Sequence, residues 1–496
     1  MLFWIMRRRV RRNQGVDCFA SHLHGSPASA GGTTGGGRFD DSTRSFDIIV
    51  RKILYRLRRE HGMVPVHTLR YTGTVLENHR VLVLTNEKWE LGARMCSELR
   101  RTGFTVAAVC PAFHMMRRAK TADETFAFSR LMPHLTLARA MRRWQPAFVI
   151  CVDDVAVRIV QALHHRLARS PLKMAKPLVA LIERSLGDPR WYGLTEKSAI
   201  MSIAPALGIR CPRSVEIADR AALSRELAAA DFPVVLKLDR TTGGAGVRIA
   251  RTREDAWTAY LELDAMRRKA LLMDRLRSTG SRRGDSKLAA KPRVTIQQYL
   301  EGRPASRAVL CWQGAVIGGL SVEATEVSRE AGPATVVRMI DHPEMEAAAR
   351  SLTARLGLSG FCGYDFVIDS GGRAFLLEVN PRITPTCHLN WRVDLIGLLF
   401  SQITGRSGRA RQAYDVDETI ALFPHEWLRN PASPHLASCP HDVPWHEPAF
   451  VRTCLAMRGA GESSWRSAVH TAWMRAGASR GQEYLPQSEY LPQSDE

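Results

Sequence analysis

Two carboxylates and an amide stand at a spacing that can hold a hard cation. Residues 363–382 read GYDFVIDSGGRAFLLEVNPR, with alternating apolar segments on either side of Ser370, Gly371, Gly372 and Arg373. A Gly-Gly pair between such segments signals a β-hairpin. A two-residue turn on Gly371 and Gly372 sets Asp365 opposite Glu378. Side chains alternate faces with period two, so Asn380 shares the face of Glu378. Like charges directly opposite each other on a sheet repel, which calls for a positive partner between them. One candidate is Mg²⁺, which takes carboxylate oxygens and keeps room for phosphate. The other is an arginine such as Arg382, which would make the hairpin an ordinary neutralised surface pair.

A second group lies upstream, in PVVLKLDRTTGGAGV at 233–247. Alternation puts Lys237 on the face opposite Val234, Leu236 and Leu238. The loop after it holds Thr241, Thr242, Gly243, Gly244, Ala245 and Gly246. Glycines let backbone N–H groups approach a phosphate closely, and Lys237 can add a point charge to the same phosphates. No Gly-Lys-Ser/Thr closes the loop, so it is not a Walker loop; a plain hairpin tip is the alternative. A third segment, VTIQQYLEG at 294–302, is a β-branched and aromatic strand whose edge can offer a carbonyl and an N–H to a purine, or can simply be core.

In order and spacing these three segments resemble the ATP-grasp superfamily. The resemblance runs from about residue 80 to residue 403. It includes FVICVDD at 148–154, Lys197 ahead of Gly208 and Ile209, the Lys237 segment with its glycine loop, QQYLEG, and the closing Asp-x12-Glu-x-Asn-Pro-Arg string. It implies that Lys197 and Lys237 contact ATP phosphates. It implies that the loop of Thr241, Thr242, Gly243, Gly244 and Gly246 closes over them. The Gln298 carbonyl and Leu300 N–H, with Tyr299 between, would hold adenine. Asp365, Glu378 and Asn380 would bind one or two Mg²⁺ ions, Mn²⁺ being an admissible substitute. Arg382, and more loosely Arg338, would clamp the transferring phosphoryl group.

The implied activity is a carboxylate–amine (or thiol) ligase acting through an acyl phosphate. The rivals are a phosphotransferase and a non-catalytic ATP-binding protein. The Asn-Pro-Arg ending is most similar to the biotin carboxylase and carbamoyl-phosphate synthase branch. However, Thr386 stands where biotin carboxylases place a glutamate base, which argues against bicarbonate activation with biotin. Pro304 stands where many relatives hold ribose with glutamate, leaving Glu301, Glu323 or neither for that contact. His388 is either an acid–base group or a packed structural histidine.

The elements that must position these groups follow from pattern. Short apolar runs at 80–85, 104–110, 147–152 and 178–182 alternate with helical stretches at 87–102 and 155–169, which predicts a doubly wound parallel sheet. The loop after the first run, at 86–90, has no glycine, so this sheet is not expected to hold a dinucleotide. Helices are expected at 197–207 and 218–230. The predicted architecture is α/β and α+β. An N-terminal parallel-sheet (pre-ATP-grasp) domain spans 76–196. A two-subdomain ATP-grasp fold spans 197–404, with a small subdomain at about 212–298 and a large one at about 299–404. Residues 405–496 form a C-terminal extension whose tail, with EYLPQS in tandem, is expected to be disordered.

Composition bounds the rest. The 496 residues are 45% hydrophobic, with net charge +21 and ten scattered cysteines lacking any Cys-x-x-Cys pair. Free thiols in the cytoplasm are the expectation. No apolar run approaches the ~18–20 residues of a membrane span. The charge is concentrated. Residues 1–75 hold 13 Lys+Arg and 5 Asp+Glu (13 − 5 = +8), and residues 267–293 hold 10 and 2 (10 − 2 = +8). Neither stretch interleaves aromatics with bases, so solvated basic segments are expected rather than a nucleic-acid partner. The first is expected to be a largely disordered leader with a short basic helix at 46–60, Met63 reading as an alternative natural start. The second is expected to be a disordered surface insert rather than a segment that steers ATP or an acidic acceptor. The expected partners are small-molecule carboxylate and nucleophile substrates, with a homodimer left open.

Overall fold

The computed structural model describes residues 79–87, 89–192, 197–241, 243–278, 292–411, 413–414 and 419–456, with backbone only at 197–199, 273–278 and 455–456. The leader, the expected helix at 46–60, Thr242, the part of the expected insert at 279–291 and the tandem repeat lie outside these residues.

β1 (Arg80–Leu84) reads RVLVL, and its last four residues are fully buried. Val81 and Val83 enter one core while Leu82 and Leu84 enter another, so both faces of the strand are covered. That is why the run is continuously apolar rather than alternating. β2 (Thr105–Cys110), β3 (Glu124–Ala127) and β4 (Phe148–Cys151) join it in the order β3-β2-β1-β4, every pairing parallel. Helix Leu91–Thr102 packs on one face through Met95 and Leu99. Helices Pro133–Trp144 and Asp154–Ala168 pack on the other. The doubly wound sheet is therefore present, with one correction. Residues 178–182 are not its fourth strand but part of helix Ala175–Leu186, whose buried Leu178, Leu181, Ile182 and Ser185 follow helical spacing. A five-residue apolar run fits either period, and only its flanks decide between them. The fourth strand is β3, whose half-exposed ETFA carries little apolar signal.

The next sheet is antiparallel. β5 (Ser214–Ile217), β6 (Val234–Leu238), β7 (Val247–Ala250) and β8 (Val294–Gln298) lie in the order β5-β8-β6-β7. Val234, Leu236 and Leu238 face helix Arg253–Ser278 through a shared core with Ala256, Tyr260 and Leu263. This helix runs well into the basic stretch, so its first part is helical rather than a loop.

The third sheet carries the hairpin. β9 (Arg303–Trp312), β10 (Ala315–Val327), β11 (Ala334–Ile340), β12 (Gly360–Ile368), β13 (Ala374–Asn380) and β14 (Thr419–Ala421) lie in the order β13-β12-β9-β10-β11-β14. One face packs on helix Pro343–Leu356. The other shares a core with the parallel sheet and with Trp391, Trp427 and Phe450. Residues 419–454 are thus not an appendage: β14 extends this sheet, and Trp427 is 1% exposed. Among the described residues no helix is long and apolar enough to cross a membrane.

A buried ionic knot ties the C-terminal segment down. Asp442 meets His388 Nε2 at 2.7 Å, Arg94 at 3.2 Å and the backbone N–H of Phe423 at 2.6 Å. His388 is therefore a packed structural residue. Burial pushes the Asp442 carboxyl up, but Arg94 and the His388 contact outweigh it and hold the group down at about 2. An unfolded aspartate titrates near ~3.9. A depressed folded-state value means that this stabilisation is present above about pH 4 and is lost as pH falls toward about 2. We expect the urea midpoint to drop over that window. Asp442→Asn should flatten the drop while lowering stability at neutral pH by about 3–5 kcal/mol, because Arg94 is left buried without its partner. Denaturation curves from pH 7 to pH 2 check both.

Candidate nucleotide and phosphoryl-transfer site

The hairpin pairs Asp365 with Glu378, as expected, but by a different route. The turn is not a two-residue loop on Gly371 and Gly372. Gly372 N–H donates to Asp369 O at 3.0 Å and Asp369 N–H to Arg373 O at 3.1 Å, so Ser370, Gly371 and Gly372 form a three-residue loop. Gly372 takes the left-handed conformation, φ 76°, that such loops require. By itself this loop would shift the register by one residue. A bulge shifts it back: Phe366 pairs with Leu376, then Asp365 with Glu378, leaving Leu377 as the extra residue. The packing shows the same irregularity, since Leu376 and Val379, three residues apart, enter one core with Tyr364 and Phe366.

Asp365, Glu378 and Asn380 therefore share a face, and Arg382 closes over them. Asn380 Nδ2 donates to Asp365 Oδ2 at 2.9 Å, and Arg382 donates to Asn380 Oδ1 at 2.9 Å. The Asn380 amide thus links a carboxylate to the guanidinium, and its oxygen is shared with Arg382. Arg382 also donates from Nε to Asp154 Oδ1 at 3.0 Å and from NH1 to the Ile383 carbonyl at 3.1 Å. Its guanidinium lies 5.4 Å from the centre of the Trp89 ring. Burial works against the charge, yet Asp154, Glu378 and Asp365 raise the Arg382 pKa above its ordinary value. Both positive partners that the sequence allows for the carboxylate pair thus remain chemically compatible: Arg382 is there, and hard oxygen donors stand beside it.

Arg338 stands apart. It pairs with Glu323, donating from Nε at 2.9 Å, and Arg303 meets the same carboxylate at 2.8 Å. In register, Arg338, Glu323, Ala305 and Phe366 form one row, while Asp365 lies in the next row with Ser306, Val322 and Met339. Adjacent rows face opposite sides, so Arg338 is not on the face of Asp365. Glu323 is committed to two arginines, which leaves it poorly placed to hold a ribose. Glu301 is exposed.

On the other antiparallel sheet, Lys237 is half-buried on the face opposite Leu236 and Leu238, beside Thr295 in register. Lys197 opens helix Lys197–Ile203. Gln298 ends β8, followed by half-buried Tyr299 and Leu300. In the glycine loop, Thr241 Oγ1 donates to Leu238 O at 2.9 Å, and Gly246 lies so close that an added Cβ would be 2.2 Å from that hydroxyl. Gly243 and Gly244 have φ of 58° and 74°.

The tip of the loop rests on the β10–β11 connection. Arg329 donates to Gly243 O at 2.7 Å, Arg251 pairs with Glu330 at 2.6 Å, and a Cβ on Gly244 would sit 2.3 Å from Ala331 O. No motif in the sequence marks a role for Asp154, Trp89 or Arg329. The Val-Asp-Asp after β4 was the only available signal for the first, and the others depend on distant contacts.

Residues 273–386 match the ATP-grasp domain family. That stretch spans β8 to the Asn380–Arg382 string and leaves out Lys237 and its glycine loop. No curated protein matches by sequence. Among solved structures, the biotin carboxylase domain of Hydrogenobacter thermophilus 2-oxoglutarate carboxylase, solved with MgADP and bicarbonate, is 15% identical with TM-score 0.47, over 69% of this chain and 73% of that one. Biotin carboxylase from Campylobacter jejuni is 14% identical with TM-score 0.48, over 69% and 74%. L-amino acid ligase from Bacillus licheniformis is 13% identical with TM-score 0.46, over 68% and 80%.

The contact between the glycine loop and the β10–β11 connection yields a direct expectation. Gly244→Ala adds a Cβ both at a left-handed φ and against Ala331 O. It should pry the two segments apart and raise amide exchange at 243–247 and 328–333, with the parallel sheet unchanged. Hydrogen-exchange mass spectrometry reads this, and unaltered exchange in both segments would count against the contact.

Proposed function

We propose that the chain is an ATP-dependent ligase that activates a carboxylate as an acyl phosphate and transfers it to an amine or another nucleophile. The observation that carries this is the convergence of Asp365, Glu378, Asn380 and Arg382 on one face, within the stretch that matches the ATP-grasp domain. The donor set fits Mg²⁺: two opposed carboxylates and an amide oxygen are hard ligands of the kind that ion selects. Asp365 and Glu378 would hold it, with Asn380 beside them. When bound, the ion offsets charge on the phosphoryl group being transferred.

The residues of the chain divide the remaining tasks. Lys197 and Lys237 bind the ATP phosphates, and the glycine loop at 241–246 covers them and keeps water out. Gln298, Tyr299 and Leu300 present backbone groups to adenine. Arg382 has five N–H groups, of which Asp154, Asn380 and the Ile383 carbonyl take three, leaving two for the phosphoryl oxygens or the substrate carboxylate. A carboxylate oxygen attacks the γ-phosphorus and the bond to the β–γ bridging oxygen breaks, releasing ADP. The nucleophile then attacks the acyl carbon, inorganic phosphate leaves, and the proton of the amine passes to solvent. The nine described cysteines are free thiols, which suits the cytoplasm.

The test is an ADP-release screen over metabolite carboxylates, followed by hydroxylamine trapping. An acyl hydroxamate formed without a nucleophile supports the ligase. A stable phosphoester in its place indicates phosphotransfer to a hydroxyl. ATP binding without turnover across the panel indicates a non-catalytic protein. Glu378→Gln should lower turnover by about a hundredfold or more while the circular-dichroism spectrum and melting curve stay close to wild type. Unchanged ADP release in that variant would contradict the site.

A further inference from the structure

β1 and β4 are neighbours, yet the helix after β1 covers one face of the sheet and the helix after β4 covers the other. Beyond the paired strand ends, Leu84 and Cys151, the two chains therefore turn to opposite faces, and such a switch point is where open parallel sheets hold ligands. A single carboxylate organises this crevice. Asp153 Oδ2 accepts from Thr85 Oγ1 at 2.9 Å and from the backbone N–H groups of Asn86 at 2.7 Å and Glu87 at 3.2 Å. Its Oδ1 caps the next helix, accepting from Ala156 N–H at 2.8 Å. The Glu87 carbonyl meets His114 Nε2 at 2.9 Å.

The backbone of Asn86 and Glu87 is thus committed to holding the loop, but their side chains take no part in it. Asn86 Oδ1 is buried and has no hydrogen-bond partner among the described residues. Glu87 is half-buried, and burial together with Asp153 raises its carboxyl pKa against the pull of Arg130 and Arg158. Arg158 lies one helical turn beyond Asp154 on the same helix face. Asp154, which opens the helix after β4, and Trp89, from the loop after β1, are two of the groups that hold Arg382. The crevice therefore opens beside the guanidinium of the candidate phosphoryl-transfer site.

We propose that this crevice, bounded by Asn86, Glu87, Arg158 and Arg382, binds the carboxylate substrate, and that this substrate is a small amino-acid-like zwitterion. The inference rests on the ligase reading above and adds the substrate class. An ammonium group has three donors and no acceptor, which matches the acceptors at Glu87 and Asn86 Oδ1. Its carboxylate is then directed to the remaining N–H groups of Arg382. Arg130 and Arg158 keep the crevice from being purely acidic, so a simple amine fits it less well than a molecule carrying both signs. Phe113 and Leu131, each 91% exposed, sit on the loops after β2 and β3 at the same edge, where an apolar side group of such a substrate would lie.

The experiment is calorimetric titration of the full chain with Mg²⁺ and a non-hydrolysable ATP analogue. It uses the twenty amino acids, then the N-acetyl and des-amino counterparts of those that bind. We expect at least one amino acid to bind and its amine-blocked counterparts to bind about tenfold more weakly or worse. In Glu87→Gln that preference should vanish while the ATP analogue binds as in the wild type. The proposal is overturned if no amino acid binds, if blocked and free amines bind alike in the wild type, or if Glu87→Gln leaves the preference intact. Failure to bind the ATP analogue at all overturns the ligase reading as well, which separates the two claims.

Discussion

Arg382 is where three parts of the chain meet through one charge. Its guanidinium is buried, which opposes ionisation, and it remains charged because Asp154 answers it from the parallel sheet while Glu378 and Asp365 answer it from the hairpin. A planar guanidinium with fixed donor directions can serve several acceptors at once without reorienting, which a lysine ammonium on a flexible stem cannot. Asn380 relays the contact to Asp365, and the Trp89 ring covers the guanidinium. The geometry of the site thus depends on how the parallel sheet is seated against the β12–β13 hairpin. A shift of either would move the guanidinium away from the two carboxylates.

That seating is itself braced from the far side. The segment from β14 to helix Pro448–Ala456 buries Trp427 and Phe450 in the core shared by the parallel sheet and the six-stranded sheet. The contact of Asp442 with Arg94 and His388 ties that segment to helix Leu91–Thr102 and to the chain just beyond the Asn380–Arg382 string. A buried ion pair is a poor source of net stability but a strict judge of alternatives, because any arrangement that separates its members leaves a bare charge in the core. The second contact region, the glycine loop on the β10–β11 connection, is different in kind. It is made of exposed arginines, a backbone carbonyl and a surface ion pair. Surface contacts of this sort are worth little individually.

The candidate site was partly legible before the fold was known. The alternation in 233–238 put Lys237 on the correct face, and the apolar alternation around Ser370–Arg373 announced a hairpin with Asp365 across from Glu378. A two-residue turn alone does not account for that pairing. A three-residue loop and a bulge at Leu377 each displace the register by one residue, in opposite directions, and only their sum matches the simple two-residue turn. Bulges depend on which side chains the two faces must bury, which a local pattern does not show. Arg338 illustrates the converse: its type suited phosphoryl binding, but its row in the sheet puts it on the other face, with Glu323. The short run at 178–182 fits both periods and is helical, while β3, half-exposed and only four residues long, carries little apolar signal.

The sequence by itself determined the local chemistry and the local periods: which residues carry charge, which glycines admit a left-handed turn, and which strands are buried on both faces. Those properties follow from covalent structure and from neighbours within a few residues. Only the tertiary structure decided that Asp154 holds Arg382, that the Trp89 ring covers the same guanidinium, and that residues 420–454 belong to the core. Each of these joins residues far apart in the chain. No helical or strand period extends across such distances; the packing of whole faces against one another selects them.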